Sequence, residues 1–260
     1  GTVLATVFTI AVYLLFYLNR VHRTRFKVEQ SFGFDAGIMR RYVRLGFPSG
    51  FELFIGAGTF NLFLLLFQSY GVNEGAAMAI VFNWDMLSFI PMIGLNIGVM
   101  SLIGRFVGAG DMGRANQVIS SGFVVALAYS SLLAICFLLF REELVSVFDT
   151  GQESFADILE LASMMMIGLV TYMIADATIL IAGGALRGAG DTRWIMITST
   201  SLHWLMLIAQ YFVIVVYGLP PMVSWWVFVA MLIALALIYL ARLLGGAWRT
   251  PERLARVMQE

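Results

Sequence analysis

The stretch AAMAIVFNWDMLSFIPMIGLNIGVMSLIG, residues 76–104, decides the fold class of this chain. It holds one charged side chain, Asp85, and it is longer than the roughly 20 apolar residues that cross about 30 Å of hydrocarbon as a helix. Comparable apolar stretches cover residues 3–18, 45–70, 118–140, 161–181, 194–217 and 222–244. We therefore expect an all-α polytopic membrane protein with seven transmembrane helices, the first of them short.

The composition excludes several classes of protein. Hydrophobic residues make up 60% of the chain and charged residues 12%, whereas soluble domains contain about 25% charged residues. The one cysteine, Cys136, lies inside the fourth span, so we expect neither a disulfide framework nor a thiolate metal site. The sequence contains no HExxH motif, no Walker-type lysine loop and no Ser/His/Asp pattern, so we expect neither an enzyme nor a cofactor. Nucleic acid is not an expected partner, because there is no basic face outside the loops.

Lysine and arginine fall on alternate gaps between the apolar stretches. Of the 16 basic residues, only Arg141 lies on the other set of gaps, beside Glu142 and Glu143. The remaining ones are Arg20, Arg23, Arg25, Lys27, Arg40, Arg41, Arg44, Arg105, Arg114, Arg187, Arg193, Arg242, Arg249, Arg253 and Arg256. Because cytoplasmic loops retain Lys and Arg, this pattern predicts a multi-pass protein of the plasma (inner) membrane, with its N-terminus outside and its C-terminus in the cytoplasm.

The longest connection divides the chain. Residues 19–44 are basic, and their end, AGIMRRYVR (residues 36–44), has the spacing of an amphipathic interfacial helix. The chain begins with Gly and enters a span at once, without the features of a signal peptide, so we expect it to be part of a longer protein. We divide it into a leftover helix (1–18), a basic cytoplasmic loop (19–44), a six-helix unit (45–244) and a cytoplasmic tail (245–260).

Three carboxylic acids lie well within the spans: Glu52, Asp85 and Asp176. An acid at membrane depth faces a wet cavity, binds a cation, carries a proton, or is a protonated acid that donates one structural hydrogen bond. We expect no Lys or Arg deep enough to pair with them. At about 1.5 Å per residue, Glu52 and Asp176 belong to the inner half of the bilayer and Asp85 to the outer half. Staggered acids of this kind favour a path for cations or protons.

Other polar groups are weaker candidates. His203 in the sixth span is either a switchable imidazole or a packed neutral side chain. Asn61 and Asn83 add amide groups, and Met173 belongs to a methionine-rich stretch that could line an adaptable cavity. We group these four as candidates for a substrate cavity.

Two short motifs, VGAGDM (residues 107–112) and RGAGDT (residues 187–192), lie between spans. Their spacing predicts a tight turn in which a glycine adopts a left-handed conformation and Asp111 or Asp191 caps the next helix. Arg187, Gly188, Gly190 and Asp191 therefore form a structural turn motif.

Three segments resemble the multidrug and toxic compound extrusion (MATE) family. They are GALRGAGDTR (residues 184–193), RLGFPSGFE (residues 44–52) and MLSFIPMIGLNIGVMSLIGRFVGAGD (residues 86–111), in the order of that family's second lobe. The resemblance implies a two-lobe, twelve-helix transporter, of which this chain is the last helix of the first lobe and the whole second lobe. It also implies alternating-access export of organic cations in exchange for H⁺ or Na⁺, with the missing first lobe, the lipid bilayer and small organic cations as partners.

The same resemblance gives roles to individual acids. Asp176 matches a cation-site carboxylate and is the expected place for Na⁺ if sodium is the coupling ion. Glu52 lies near an acid that many members place one turn later, where this chain has Gly56. Asp85 lies on a helix that lines the family's cavity, so all three acids are expected in cation or proton coupling.

Two other functions remain open. A lipid-linked sugar flippase of the same fold superfamily would need a basic cavity to hold pyrophosphate, and no deep Lys or Arg is expected here. A seven-helix receptor would have the same number of spans and the same orientation. However, the one lysine, Lys27, is in a loop and cannot form a Schiff base with retinal.

Overall fold

The computed structural model of the chain describes residues 2–19, 21, 33–149, 151 and 155–249, and all regular structure in these ranges is helical. Part of the predicted basic loop and most of the tail lie outside the described residues. The basic residues that lie outside are Arg20, Arg23, Arg25, Lys27, Arg253 and Arg256.

Eight α-helices account for most of the described residues. They are α1 (Thr2–Tyr17), α2 (Ala36–Gln68), α3 (Val72–Gly108), α4 (Met112–Leu139), α5 (Arg141–Ser146), α6 (Phe155–Gly188), α7 (Thr192–Tyr211) and α8 (Pro221–Leu244). A π-helical stretch, Phe212–Val216, continues α7, and a 3-10 turn, Ala247–Arg249, follows α8. Six helices, α2, α3, α4, α6, α7 with its π stretch, and α8, are long and apolar enough to cross a membrane, and α1 is a shorter apolar helix. The predicted all-α membrane fold is confirmed.

The chain divides into two compact units between residues 44 and 45. This boundary coincides with the end of the predicted basic loop. The assignment of the units to a first and a second lobe stays a prediction.

Several helices extend beyond the apolar stretches that predicted them. Helix α2 begins at Ala36, so the AGIMRRYVR stretch forms its first turns, and α6 ends at Gly188 rather than near residue 181. Hydropathy marks the part of a helix that lipid surrounds, whereas backbone hydrogen bonding continues the helix through its polar ends. This extension determines where Asp176 and Arg187 lie.

Helix α6 is at the centre of the second unit and packs against α3, α4 and α8. Small residues make the approach to α3 close. A Cβ atom at Gly184 would lie 3.0 Å from the carbonyl oxygen of Asn96, and one at Gly188 would lie 2.5 Å from that of Met100. Glycine therefore permits backbone contact between the two helices that carry Asp85 and Asp176.

The second half of α2 is held by aromatic side chains. Phe63 and Phe67 are fully buried. The Phe63 ring stacks on Phe228 of α8, with centroids 5.0 Å apart and an angle of 8°, and Phe82 of α3 meets Trp225 at 5.6 Å. These contacts join α2, α3 and α8 in one apolar core.

The two GAGD turns have the same backbone conformation, but their aspartates, Asp111 and Asp191, have different hydrogen-bond partners. Gly110 and Gly190 adopt the predicted left-handed conformation, with φ of 73° and 83°. Asp111 caps α4 by accepting a hydrogen bond from the Arg114 N–H at 3.0 Å. The prediction that Asp191 caps α7 is wrong, because its side chain makes no capping hydrogen bond and accepts one from Arg242 instead. An arginine is a stronger partner for a buried carboxylate than a backbone amide.

The contact at Gly188 gives a stability prediction. Gly188→Ala would place a methyl group 2.5 Å from a backbone oxygen, so we expect it to cost about 1–3 kcal/mol through overpacking. Gly108→Ala is the matched control, because Gly108 holds the same place in the other turn and a Cβ atom there has nothing within 4 Å. Thermal unfolding of the full-length protein in detergent measures both, and equal unfolding temperatures for the two variants would contradict close α3–α6 packing.

Candidate functional site

The second unit contains two groups of polar residues inside its helices. The first, the carboxylate site, consists of Asp85, Ser88, Tyr172 and Asp176 on α3 and α6. The second, the ion-pair cluster, consists of Glu52, Arg187, Ser199, His203 and Tyr239 on α2, α6, α7 and α8. The sequence predicted the three acids and His203 but did not predict how they are divided.

Asp85 and Asp176 lie close enough to interact electrostatically, and the Tyr172 hydroxyl interacts with both. They lie side by side rather than staggered along the bundle as the sequence predicted. Helices α3 and α6 lie side by side, and α6 continues for roughly 18 Å beyond Asp176 at 1.5 Å per residue. Asp176 is therefore in the middle of its helix and beside Asp85.

The Tyr172 hydroxyl is a buried donor at the carboxylate site. It interacts with Asp85 but forms no well-aligned hydrogen bond among the described residues. Neither aspartate takes part in any of the ion pairs found in the described ranges. Two neighbouring carboxyl groups cannot both stay charged without a counter-ion, so this site can hold a proton or a cation.

A cavity of about 10 Å³ borders Asp176, which is room for about one water molecule. Met173 lines it, as do two hydroxyl-bearing residues of α4, Tyr129 and Ser130. The Tyr129 hydroxyl donates to the Ser88 carbonyl at 3.2 Å, and the Ser88 hydroxyl donates to the Asp85 carbonyl at 2.7 Å. Four oxygen-bearing residues, Ser88, Tyr129, Ser130 and Asp176, therefore share the lining of this small cavity with apolar side chains.

Glu52 is paired with arginine, contrary to the expectation that no basic residue reaches the acids. One terminal nitrogen of Arg187 donates to both carboxylate oxygens of Glu52, at 2.7 and 2.9 Å. The two side chains are 22% and 11% exposed, for Arg187 and Glu52 respectively. Arg187 was predicted as part of a turn, but α6 continues through it and directs its side chain back along the bundle.

A second arginine–carboxylate pair lies beside the first. Arg242 Nε donates to Asp191 at 2.9 Å, and the Arg242 guanidinium lies 5.0 Å from the ring centre of Trp194. The Trp194 ring is 5.9 Å from that of Tyr239. The Tyr239 hydroxyl donates weakly to Glu52 at 3.5 Å, so aromatic rings link the two pairs. Tyr172, Tyr239 and Arg242 were not predicted as site residues, since only the packing of the helices brings them to these acids.

His203 is half-buried on α7. Its Nδ1 atom lies 2.7 Å from the Ser199 carbonyl oxygen of its own helix and 3.4 Å from the Ser199 hydroxyl. A Cβ atom at Gly56 of α2 would lie 3.8 Å from His203 Nε2. His203 therefore belongs to the contact between α7 and α2, one helical turn along α2 from Glu52.

Asn61 and Asn83 are exposed in the described structure, and each donates at 2.8 Å to a carbonyl of its own helix, Ala57 and Ala79 respectively. The structure does not bring them to the acids. A wider apolar opening of about 530 Å³ lies between α2 and α7. Its lining consists of Leu62, Leu65, Leu66, Ser69, Trp204, Leu207, Ile208, Tyr211 and Val215, and includes none of the four predicted cavity residues.

No group of three or more His, Cys, Asp and Glu residues that could hold a metal ion occurs in the part of the chain that the structure describes. The expected Na⁺ at Asp176 would thus depend on two aspartates together with backbone and hydroxyl oxygens, which are the ligand types that hard cations prefer.

Comparison with known proteins identifies the family. The MatE family model matches residues 48–212, which include most of α2 and all of α3, α4, α5, α6 and α7. The chain belongs to the MATE family. MATE proteins are transporters and not enzymes, so the seven-helix receptor is excluded, and the six membrane-length helices fit a multi-pass inner-membrane protein.

Two curated multidrug resistance proteins are similar in sequence to most or all of this chain. Multidrug resistance protein MdtK of Yersinia pseudotuberculosis serotype O:1b (strain IP 31758) is 26% identical over 100% of this chain and 58% of its own length. The probable multidrug resistance protein NorM of Thermotoga maritima is 28% identical over 84% of this chain and 46% of its own length. The chain thus spans about half the length of these MATE relatives.

Solved structures share the fold. An outward-facing multidrug resistance MATE family transporter of the MOP superfamily superposes with a TM-score of 0.69 at 19% identity, covering 82% of this chain and 45% of the other. A MOP superfamily transporter from Pyrococcus furiosus Vc1, described as having a binding pocket of reverse polarity and a different function, gives the same values. At this identity the likeness shows the fold alone.

Proposed function

We propose that the full-length protein exports cationic, amphipathic compounds in exchange for H⁺ or Na⁺ by alternating access. The observation that carries this proposal is the carboxylate site, in which Asp85 and Asp176 share Tyr172 at membrane depth and form no ion pair among the described residues. The names of MdtK and NorM support multidrug efflux. MATE transporters are ion-coupled. The transport experiment described below distinguishes H⁺ from Na⁺ as the coupling ion.

Exchange follows from the charge of the site. When Asp85 and Asp176 hold a proton or Na⁺, they have little attraction for an organic cation. When that ion leaves, the uncompensated negative charge attracts one. A ligand that binds one state better than the other shifts the equilibrium between states, so ion and substrate would bind alternately.

Glu52 is the weaker coupling candidate of the three acids, because Arg187 already supplies its counter-charge. We propose that Glu52 affects coupling through this pair. The orientation with the N-terminus outside and the C-terminus in the cytoplasm remains a proposal based on the alternation of Lys and Arg. The missing partner lobe is likewise proposed, from the half-length match.

A lipid-linked sugar flippase is the alternative. The Pyrococcus furiosus transporter is described as having a binding pocket of reverse polarity that suggests a different function. We therefore use the charge of the pocket to choose between export and the flippase function. A pyrophosphate would need free arginine or lysine. Both arginines inside the described bundle, Arg187 and Arg242, are already paired with carboxylates.

The test is transport by the full-length protein in proteoliposomes under an imposed pH or Na⁺ gradient. We expect ethidium, an organic cation, to move against its own gradient when one of the two ions moves down its gradient, and an anionic dye not to move. Absence of ethidium movement under both gradients, with movement of a fluorescent lipid-linked pyrophosphate, would replace export by the flippase function.

A further inference from the structure

Helix α4 presents a face of small, buried residues to the two helices that carry Asp85 and Asp176. These residues recur every fourth position and therefore lie in one row along the helix: Gly122, Ala126, Ser130 and Ala134. A Cβ atom at Gly122 would lie 2.9 Å from Val99 of α3 and 3.4 Å from Ile181 of α6, so this row meets both helices. Ser130 is the polar member of the row and is only 3% exposed.

The Ser130 hydroxyl is unpaired in the described part of the chain. The hydrogen bonds of this region join the Tyr129 hydroxyl to the Ser88 carbonyl and the Ser88 hydroxyl to the Asp85 carbonyl, and neither includes Ser130. The Ser130 oxygen is not among the unpaired oxygens that protein atoms enclose completely. Ser130 lines the cavity of about 10 Å³ that borders Asp176, so its hydroxyl opens into that cavity.

The cavity suits one water molecule. A buried water needs room for about one water-sized sphere, roughly 10–15 Å³, and two to four polar partners. Three groups of the lining can serve as partners. The Ser130 hydroxyl can donate, the Asp176 carboxylate can accept, and the Tyr129 hydroxyl keeps a lone pair after donating to the Ser88 carbonyl at 3.2 Å. A water molecule has two hydrogens and two lone pairs, so it can satisfy all three groups at once.

We propose that Ser130 of α4 is a positioning residue of the carboxylate site, and that its hydroxyl holds one water molecule against Asp176; this role rests on the proposed export function. The water donates a hydrogen to the Asp176 carboxylate and stabilises its charged state. Each exchange cycle passes through that state after one cation leaves and before the other binds. Ser130 therefore acts on exchange with either H⁺ or Na⁺, and α4 joins α3 and α6 as a helix of the site.

X-ray footprinting of the full-length protein in nanodiscs detects this water without requiring transport. Brief irradiation converts a bound water into hydroxyl radicals, which oxidise a neighbouring methionine to its sulfoxide. Met173 is 4% exposed and lines the cavity, whereas Met206 of α7 is 3% exposed and does not, so Met206 is the matched control. We expect Met173 to be oxidised several times faster than Met206, and equal rates in wild type overturn the inference.

Two variants with nearly the same shape isolate the hydroxyl: Ser130→Val lacks it and Ser130→Thr keeps it. In Ser130→Val we expect Met173 to be oxidised no faster than Met206. Ethidium efflux in proteoliposomes should fall roughly 10-fold, as for the loss of a hydrogen bond to a charged group. Ser130→Thr should stay close to wild type in both measurements. Ser121→Val, at an exposed position of the same helix, is the control for an added branched side chain and should retain wild-type efflux.

The two Ser130 variants carry the same added methyl group, so a packing effect alone would lower efflux equally in both. Equal efflux and equal Met173 oxidation in Ser130→Val and Ser130→Thr overturn the inference. Met173 oxidation without wild-type efflux under either gradient is instead a failure of the export function, because the footprint does not depend on transport. Wild-type efflux without faster oxidation of Met173 overturns the water site and leaves export standing.

Discussion

Asp176→Asn is expected to abolish gradient-driven ethidium efflux, lowering the rate by roughly 100-fold or more, which corresponds to about 2.7 kcal/mol of barrier. Asparagine has nearly the same shape as aspartate but cannot carry the charge that attracts a cation or releases a proton. The helix should still insert, because an amide at membrane depth costs less than a carboxylate. Efflux in proteoliposomes under the coupling gradient measures the loss.

The matched control for this variant is Asp157→Asn. Asp157 lies in the first turn of the same helix, α6, and is exposed, so the substitution changes the same functional group away from the carboxylate site. We expect near-normal efflux from it. Asp85→Asn should also reduce efflux, and the double variant should be no slower than Asp176→Asn, because residues that act as a unit are not additive. Wild-type rates in Asp176→Asn would remove this residue from the mechanism.

Arg187→Gln is expected to have the largest effect on stability. It leaves Glu52 without a counter-charge in a side chain that is only 11% exposed, and breaking a buried pair in this way costs about 3–5 kcal/mol. Removing both charges in Glu52→Gln/Arg187→Gln should restore most of the stability, since the remaining amides can hydrogen-bond to each other. Thermal unfolding of the full-length protein in detergent measures all three forms.

Arg114→Gln is the control for the arginine pair. Arg114 pairs with Asp111 at the corresponding turn, but the two side chains are 68% and 41% exposed. A pair this exposed contributes about 0–1 kcal/mol, so the unfolding temperature should hardly change. Equal losses for Arg187→Gln and Arg114→Gln would contradict a structural role for the Glu52–Arg187 pair.

The sequence predicted the features that depend on local composition. Apolar stretches located the membrane helices, because hydrocarbon accepts only segments of sufficient length and low charge. Each GAGD motif predicted one left-handed glycine, because few other residues adopt that conformation, and the structure identifies these as Gly110 and Gly190.

The errors came from features that depend on contacts between helices. Hydropathy ended the fifth span near residue 181, which put Asp176 near an inner end and Arg187 in a loop. Because α6 continues to Gly188, Asp176 lies beside Asp85 and Arg187 reaches Glu52. The close α3–α6 approach through Gly184 and Gly188 could not be derived from spacing alone.

We propose that the carboxylate site exchanges a bound cation for an organic cation. The most direct measurement is cation release when ethidium binds to the purified full-length protein, with H⁺ followed by a pH indicator and Na⁺ by displacement of ²²Na⁺. By linkage, we predict about one cation released for each dye bound to wild type and none for Asp176→Asn. Binding of dye to wild type without release of either cation, or equal release by Asp176→Asn, would rule out exchange at the carboxylate site.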